Sequence, residues 1–168
     1  MKLQLDTLPS PLGTILLVHD GDGHLRALDF ADYEDRMQRL LRLHYGEISL
    51  SAAPAPGRTT EALARYFGGD YEALGVIPVI TGGTVFQRKV WAGLRTIPVG
   101  QTFTYGGLAA QIGSAGAMRA VGRANGANPV AIVVPCHRVI GANGTLTGFG
   151  GGLPRKQWLL QHEGAQFV

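Results

Sequence analysis

The chain has 168 residues, of which 45% are hydrophobic and 16% charged, with a formal net charge of +3. That length holds one sizeable core or two small ones, and no apolar run is long enough to span a membrane; a globular protein of the cytoplasm is the expectation. A single cysteine excludes an internal disulfide and a multi-cysteine zinc site, so neither metal nor cofactor is expected.

Leu3 and Leu5 alternate with polar residues, and residues 14–19 and 25–30 flank Asp20-Gly21-Asp22-Gly23, the pattern of a β-hairpin on a glycine turn. From Asp32 to His44 the positions Met37, Leu40, Leu41 and His44 recur with helical spacing, and Asp32, Glu34 and Asp35 suit the positive end of a helix dipole. Residues 49–57, SLSAAPAPG, read as a loop, followed by a short helix over residues 60–67. His19, His24 and His44 fall in this scaffold without catalytic spacing. Gly68-Gly69, Pro78 and Gly82-Gly83 mark a boundary within residues 69–83, which divides the chain into units 1–78 and 84–168.

Thr84-Val85-Phe86-Gln87 fits a capping box, and Phe86, Val90 and Leu94 recur on one face of the helix it starts. Pro98-Val99-Gly100 ends that helix. Two shorter helical patterns follow, over residues 105–112 and 115–125, separated by Gly113-Ser114; their spacing suits a helix-turn-helix. In the second, Arg119 and Arg123 lie four apart on one face, while Ala117, Ala120, Val121 and Gly122 add little bulk. The fold class is therefore α+β: a small N-terminal sheet with helices, then a mainly helical C-terminal unit. Charge is divided along the same line. Residues 1–84 hold 7 Lys+Arg against 11 Asp+Glu, a net of −4, whereas residues 85–168 hold 8 against 1, a net of +7. A basic second unit suits a polyanionic partner such as DNA, although a basic face with no partner has the same composition.

Val130 to Val134 is an apolar, β-branched run between Pro129 and Pro135, which predicts a short buried strand. Cys136 and His137 follow where regular structure stops. Pro135 lacks an N–H and keeps Val134 extended, so the chain enters this turn along a fixed path. A thiol reacts as its thiolate, and an adjacent imidazole lowers its pKa or takes its proton, directly or through one water. An inert buried cysteine is the competing reading of a lone Cys, and these residues by themselves leave both open.

The PCHRV segment, with FQRKVW, IPVGQTFTYGGLA, RAVGRANGANP, Asn143-Gly144, Gly148-Phe149-Gly150-Gly151 and His162-Glu163-Gly164, resembles the O6-alkylguanine-DNA alkyltransferase family. The likeness runs from about Thr84 to Gly164. It implies a DNA repair protein that acts on double-stranded DNA containing O6-alkylguanine, and also O4-alkylthymine. Such a protein rotates the damaged nucleotide out of the stack and moves the alkyl group irreversibly onto Cys136, once per molecule. By the same resemblance His137, oriented by Glu163, relays the thiol proton, and Asn128 braces the turn around Cys136. Arg119 fills the gap left by the flipped base, and Arg123 meets phosphate. Tyr105 and the backbone N–H of Gly150 stabilise the leaving guanine, with the Val139 backbone also contacting the base. A monomer is the expected state.

The chain departs from the family pattern at Phe149, where relatives usually carry tyrosine, and at Gly150, where some carry serine. Stacking and a backbone donor are kept at these positions and a hydroxyl is lost. Two rival functions stay open: a non-catalytic lesion binder, which Cys136 argues against, and a thiol hydrolase built on Cys136, His137 and Glu163, which leaves the helix-turn-helix and the charge division without a purpose.

Overall fold

The computed structural model describes residues 1–167, and the chain folds as two compact units that meet in sequence at Gly83 and Thr84. Val168, the last residue of the second expected unit, lies outside the described residues.

The first unit is a four-stranded sheet of β1 (Lys2–Leu8), β2 (Ile15–His19), β3 (Leu25–Phe30) and β4 (Ser49–Ala52) in the order β3-β2-β1-β4. β2 and β3 form the expected hairpin, paired from Ile15 with Phe30 to Val18 with Ala27 before an irregularity at Val18/His19. Asp20 shapes its turn, since Oδ1 accepts the N–H groups of Asp22 at 2.9 Å and His24 at 3.0 Å. α1 (Glu34–Tyr45) packs Met37 and Leu41 against Leu3, Leu16, Val18 and Ala27, the apolar face set by strand alternation.

Residues 49–52 are a strand and not the expected loop: Lys2 to Leu5 pair in parallel with Ser49 to Ala52. A ladder uses main-chain groups, so small polar side chains do not prevent an edge strand, and Pro54 and Pro56 fall beyond its end. α2 (Gly57–Phe67) starts earlier than its apolar pattern indicates. The boundary segment is also built: residues 71–76 form a 3-10 helix, and Leu25 exchanges hydrogen bonds with Pro78 at 2.8 Å and Ile80 at 3.2 Å along the edge of β3.

The second unit begins with α3 (Val85–Leu94), whose capping box is formed on both sides: Thr84 Oγ1 accepts from the Gln87 N–H and Gln87 Oε1 from the Thr84 N–H, each at 3.0 Å. Its buried face is Val90, Trp91 and Leu94, and the indole of Trp91 donates to the carbonyl of Ala124 at 2.8 Å. β5 (Phe103–Thr104) runs into α4 (Tyr105–Gln111), capped by Thr104, whose hydroxyl accepts from the Gly107 N–H at 2.9 Å. α3 and α4 approach closely at Gly93, where a Cβ would come within 2.7 Å of Ile112 Cγ2. α5 (Met118–Gly126) starts three residues later than the sequence pattern predicts, because residues 113–117 are spent on turns in which Gly113 and Gly116 take positive φ. The expected strand over residues 130–134 is likewise mostly turns, with a single bridge residue at Val130 and turns and a bend over 131–134, although every residue in it is buried. Regular pairing resumes at β6 (Val139–Ile140), which lies parallel to β5 with Phe103 opposite Val139. α6 (Leu153–His162) closes the unit.

Candidate active site

The turns that replace the strand deliver Cys136. Asn128 is their brace: its Nδ2 donates to the Val134 carbonyl at 2.7 Å and its Oδ1 accepts from the Val130 N–H at 2.9 Å. Between these points the Val134 N–H donates to the Val130 carbonyl at 3.0 Å, and Ile132 takes φ of 72°. Left-handed backbone is unfavourable for a β-branched side chain, and the Asn128 bonds together with the burial of Ile132 hold it there. Pro135, at φ −82° and ψ 65°, then folds the chain sharply so that the Cys136 N–H donates to the Val134 carbonyl at 2.8 Å. Cys136 opens a 3-10 turn over Cys136–Arg138, and β5–β6 pairing anchors that turn on one side and the start of α4, with Tyr105, on the other.

Behind the cysteine, His137 is fully buried, and its Nε2 lies 2.8 Å from Glu163 Oε2. Glu163 also accepts from Arg138, Nε to Oε1 at 2.8 Å and a terminal nitrogen to Oε2 at 3.1 Å, while the remaining Arg138 nitrogen donates to the Ile97 carbonyl at 2.7 Å. Burial alone would raise the Glu163 pKa, but His137 and the charge and hydrogen bonds of Arg138 outweigh it, so the carboxyl is held far below its usual range. Burial lowers the His137 pKa beneath its ordinary 6.5 in spite of the carboxylate. His137 is thus neutral at neutral pH. A carboxylate only accepts, so Nε2 carries the proton and Nδ1, buried with no hydrogen-bond partner among the described residues, presents a free lone pair. A neutral imidazole in that tautomer is poised to take a proton.

In front of the cysteine is a cavity of about 290 Å³ lined by Tyr105, Gly122, Asn125, Gly126, Cys136, Gly148, Phe149 and Gly150. Of the sequence candidates, Tyr105, Cys136, Phe149 and Gly150 meet here. His137, Glu163 and Asn128 stand behind the wall, all buried. Val139 is buried with its main chain engaged: its N–H donates to the Cys136 carbonyl, and its carbonyl accepts from Lys156 Nζ at 2.6 Å. Arg119 and Arg123 are exposed on α5 and do not line the cavity.

Several residues of the site were not singled out by the sequence. Asn125, also buried, donates from Nδ2 to the Cys136 carbonyl at 3.4 Å. Lys156 is completely buried, and beyond Val139 its Nζ reaches the carbonyls of Thr147 at 3.2 Å and Gly148 at 3.5 Å. Burial lowers its pKa to about 8, against the opposing charge of Cys136. The signal for Lys156 was present: Lys156, Leu159, Leu160 and Glu163 share one helical stripe, so both charged residues sit at core positions. Asn125 and Thr147 left no comparable trace. Among the described residues the grouping of His and carboxylates closest to a metal site is Asp20, Asp22 and His24, but Asp20 is already committed to its turn and to Arg26, 2.7 Å away.

The family model for the DNA binding domain of 6-O-methylguanine DNA methyltransferase matches residues 85–165, and that for the ribonuclease-like domain of the same protein matches residues 5–80. The methylated-DNA–protein-cysteine methyltransferase of Salmonella typhimurium is 51% identical over 166 residues, 98% of this chain and 97% of the relative. That of Mycobacterium tuberculosis is 46% identical over 162 residues, 94% of this chain and 90% of the relative. Among solved structures, Mycobacterium tuberculosis O6-methylguanine methyltransferase superposes with a TM-score of 0.80 at 40% identity, covering 96% of this chain and 93% of that one. The OGT of the same organism in complex with DNA gives 0.80 at 38% identity, covering 98% and 93%. Matched across both of its units, the chain belongs to the 6-O-methylguanine DNA methyltransferase family.

Proposed function

We infer that this chain is a DNA repair protein, a methylated-DNA–protein-cysteine methyltransferase, that moves an alkyl group from O6-alkylguanine in double-stranded DNA onto its own Cys136. The observation that carries the reading is the placement of Cys136 between a base-sized cavity and the His137–Glu163 pair. In the proposed reaction His137 Nδ1 takes the thiol proton, directly or through one water, and Glu163 steadies the imidazolium that forms. The sulfur attacks the alkyl carbon. A carbon–sulfur bond forms as the carbon–O6 bond breaks, and the released electron pair passes to the purine, which takes up a proton. Tyr105 and the Gly150 N–H act on that developing charge.

The alkyl carbon lies inside a duplex, so the nucleotide is rotated out before reaction. In this reading α4 and α5 act as a helix-turn-helix, Arg119 occupies the vacated stack, and Arg123 pairs with phosphate. Phe149 stacks on the base and the Val139 backbone borders it. Asn128 acts by fixing the turn. A thioether is not cleaved by water, so each molecule reacts once, as a monomer in the cytoplasm, without cofactor or metal, and O4-alkylthymine is a second substrate.

The test is duplex DNA carrying O6-methylguanine with a labelled methyl group. One equivalent of label on the Cys136 peptide is expected, with Cys136→Ala binding the DNA and taking none. Label left on DNA that the protein binds would mark a lesion binder, and label left on DNA it does not bind, with turnover of an ester or peptide, a hydrolase.

A further inference from the structure

Tyr105 reaches the cavity from the first turn of α4, and its hydroxyl lies 2.6 Å from Thr147 Oγ1. Thr147 precedes Gly148 and Phe149 of the cavity wall in the loop between β6 and α6. Its main-chain oxygen accepts from the buried ammonium of Lys156. The threonine is therefore held through its backbone while its side chain meets the phenol.

A phenol owns one proton. To donate that proton to an incoming base, Tyr105 must direct it away from the loop. If its partner there were a carbonyl or carboxylate, the bond would be lost, because such a group has no proton to return. Between two hydroxyls the bond reverses instead: the threonine donates, the phenol accepts, and the phenol proton is free. An accepting phenol is also a stronger donor, since hydrogen bonds in a chain polarise one another.

We propose that Thr147 is a positioning residue for alkyl transfer, whose hydroxyl becomes the donor to Tyr105 when the phenol turns its proton to the base. This rests on the reading that Tyr105 donates to the base. The benefit is greatest as the carbon–O6 bond breaks and charge builds on the purine, so it belongs to the chemical step and not to DNA binding.

Single-turnover transfer from duplex O6-methylguanine, measured across DNA concentrations, separates the saturating rate from the apparent Kd. Thr147→Val, which keeps the shape without the hydroxyl, should slow the saturating rate about tenfold and leave the Kd within about twofold, the effect of one hydrogen bond. Thr147→Ala, a second variant without the hydroxyl, should behave alike, and Thr147→Ser should stay within about threefold of the parent. With Tyr105→Phe in place, adding Thr147→Val should have no further effect, because no hydroxyl remains to orient. Valine and alanine variants as fast as the parent, a serine variant as slow as they are, or an undiminished loss in the phenylalanine background would each overturn the assignment. Tyr105→Phe at the parental rate would remove the donor role it depends on. A parent protein that accepts no label would overturn the transfer reading itself; one that accepts label in full alongside unaffected Thr147 variants would overturn only the role of Thr147.

Discussion

Glu163 serves two partners, the His137 imidazole and the Arg138 guanidinium, and its replacement reaches both. Glutamine keeps the shape and loses the charge, which leaves Arg138 buried without its anion; such a loss costs roughly 3–5 kcal/mol. Glu163→Gln should therefore lower stability by about that amount in denaturant titrations. It should also slow alkyl transfer at temperatures where the variant is fully folded, while DNA binding persists. Acid acts on the same groups in two windows. The His137 pKa is lowered from 6.5, so the unfolded chain binds that proton first, and the stability present above 6.5 is lost as pH falls through the folded-state value. The Glu163 pKa is lowered from 4.5, so its contribution holds until pH drops below that and is lost through its own folded-state value. Melting profiles of His137→Asn against pH should lack the first window and show the second weakened, since only Arg138 still lowers the Glu163 pKa. The meeting of His137 with Glu163 was legible only through the family resemblance, whose motifs carry both residues. Arg138 belongs to the same motif as His137, yet its part in the network was not legible: nothing local in a sequence tells a surface arginine from one folded back on a distant glutamate.

The turn over residues 128–136 shows where pattern and geometry diverge. A β-branched run between prolines has the composition of a strand, and its burial follows from that composition, but Val130, Val133 and Val134 close backbone bonds within the turn and through the Asn128 side chain. Asn128→Ala would leave the buried Val130 N–H without its partner and the Val134 carbonyl with the Cys136 N–H alone, at a cost on the order of 1–3 kcal/mol by the penalty for one such group. Chemical denaturation measures that loss, and Cys136 should react more slowly with alkylated DNA because the turn that aims it is loosened. The capping box and the β2–β3 hairpin were legible because each is set by residues within a few positions. β4 was not, since a parallel edge strand is defined by a partner far along the chain. The late start of α5 follows from residues 113–117, where Gly113 and Gly116 adopt a backbone that continues no helix.

The charge division in the sequence sharpens once burial is known. Of the eight Lys and Arg after residue 84, Arg138 and Lys156 are buried, and so is Glu163, the one acidic side chain there. Six cations remain toward solvent with no acidic side chain among them, the electrostatics of a unit that meets DNA by releasing counterions. Arg123→Ala should lower the slope of log affinity against log salt by about one and slow repair only through weaker binding. Arg119→Ala should slow transfer in duplex DNA far more than transfer from free alkylguanine base; equal losses on both would refute its place in the stack. Inside the same unit, the reaction alters a tally. Before it, the interior of this unit holds two cations, Lys156 and Arg138, with the Glu163 anion and a Cys136 thiol that can ionise as pH rises. Methylation turns that thiol into a thioether, which carries no charge at any pH, so the spent protein can no longer set an anion at the sulfur against Lys156. The Cys136 charge supports the Lys156 proton, so after methylation its pKa should fall further below about 8 and the ammonium should begin to discharge nearer neutral pH. NMR titration of the Lys156 side chain before and after methylation would register the change; an unmoved pKa would show that the lysine does not sense the sulfur. If each molecule acts once, as proposed, it would then carry its history as a missing proton.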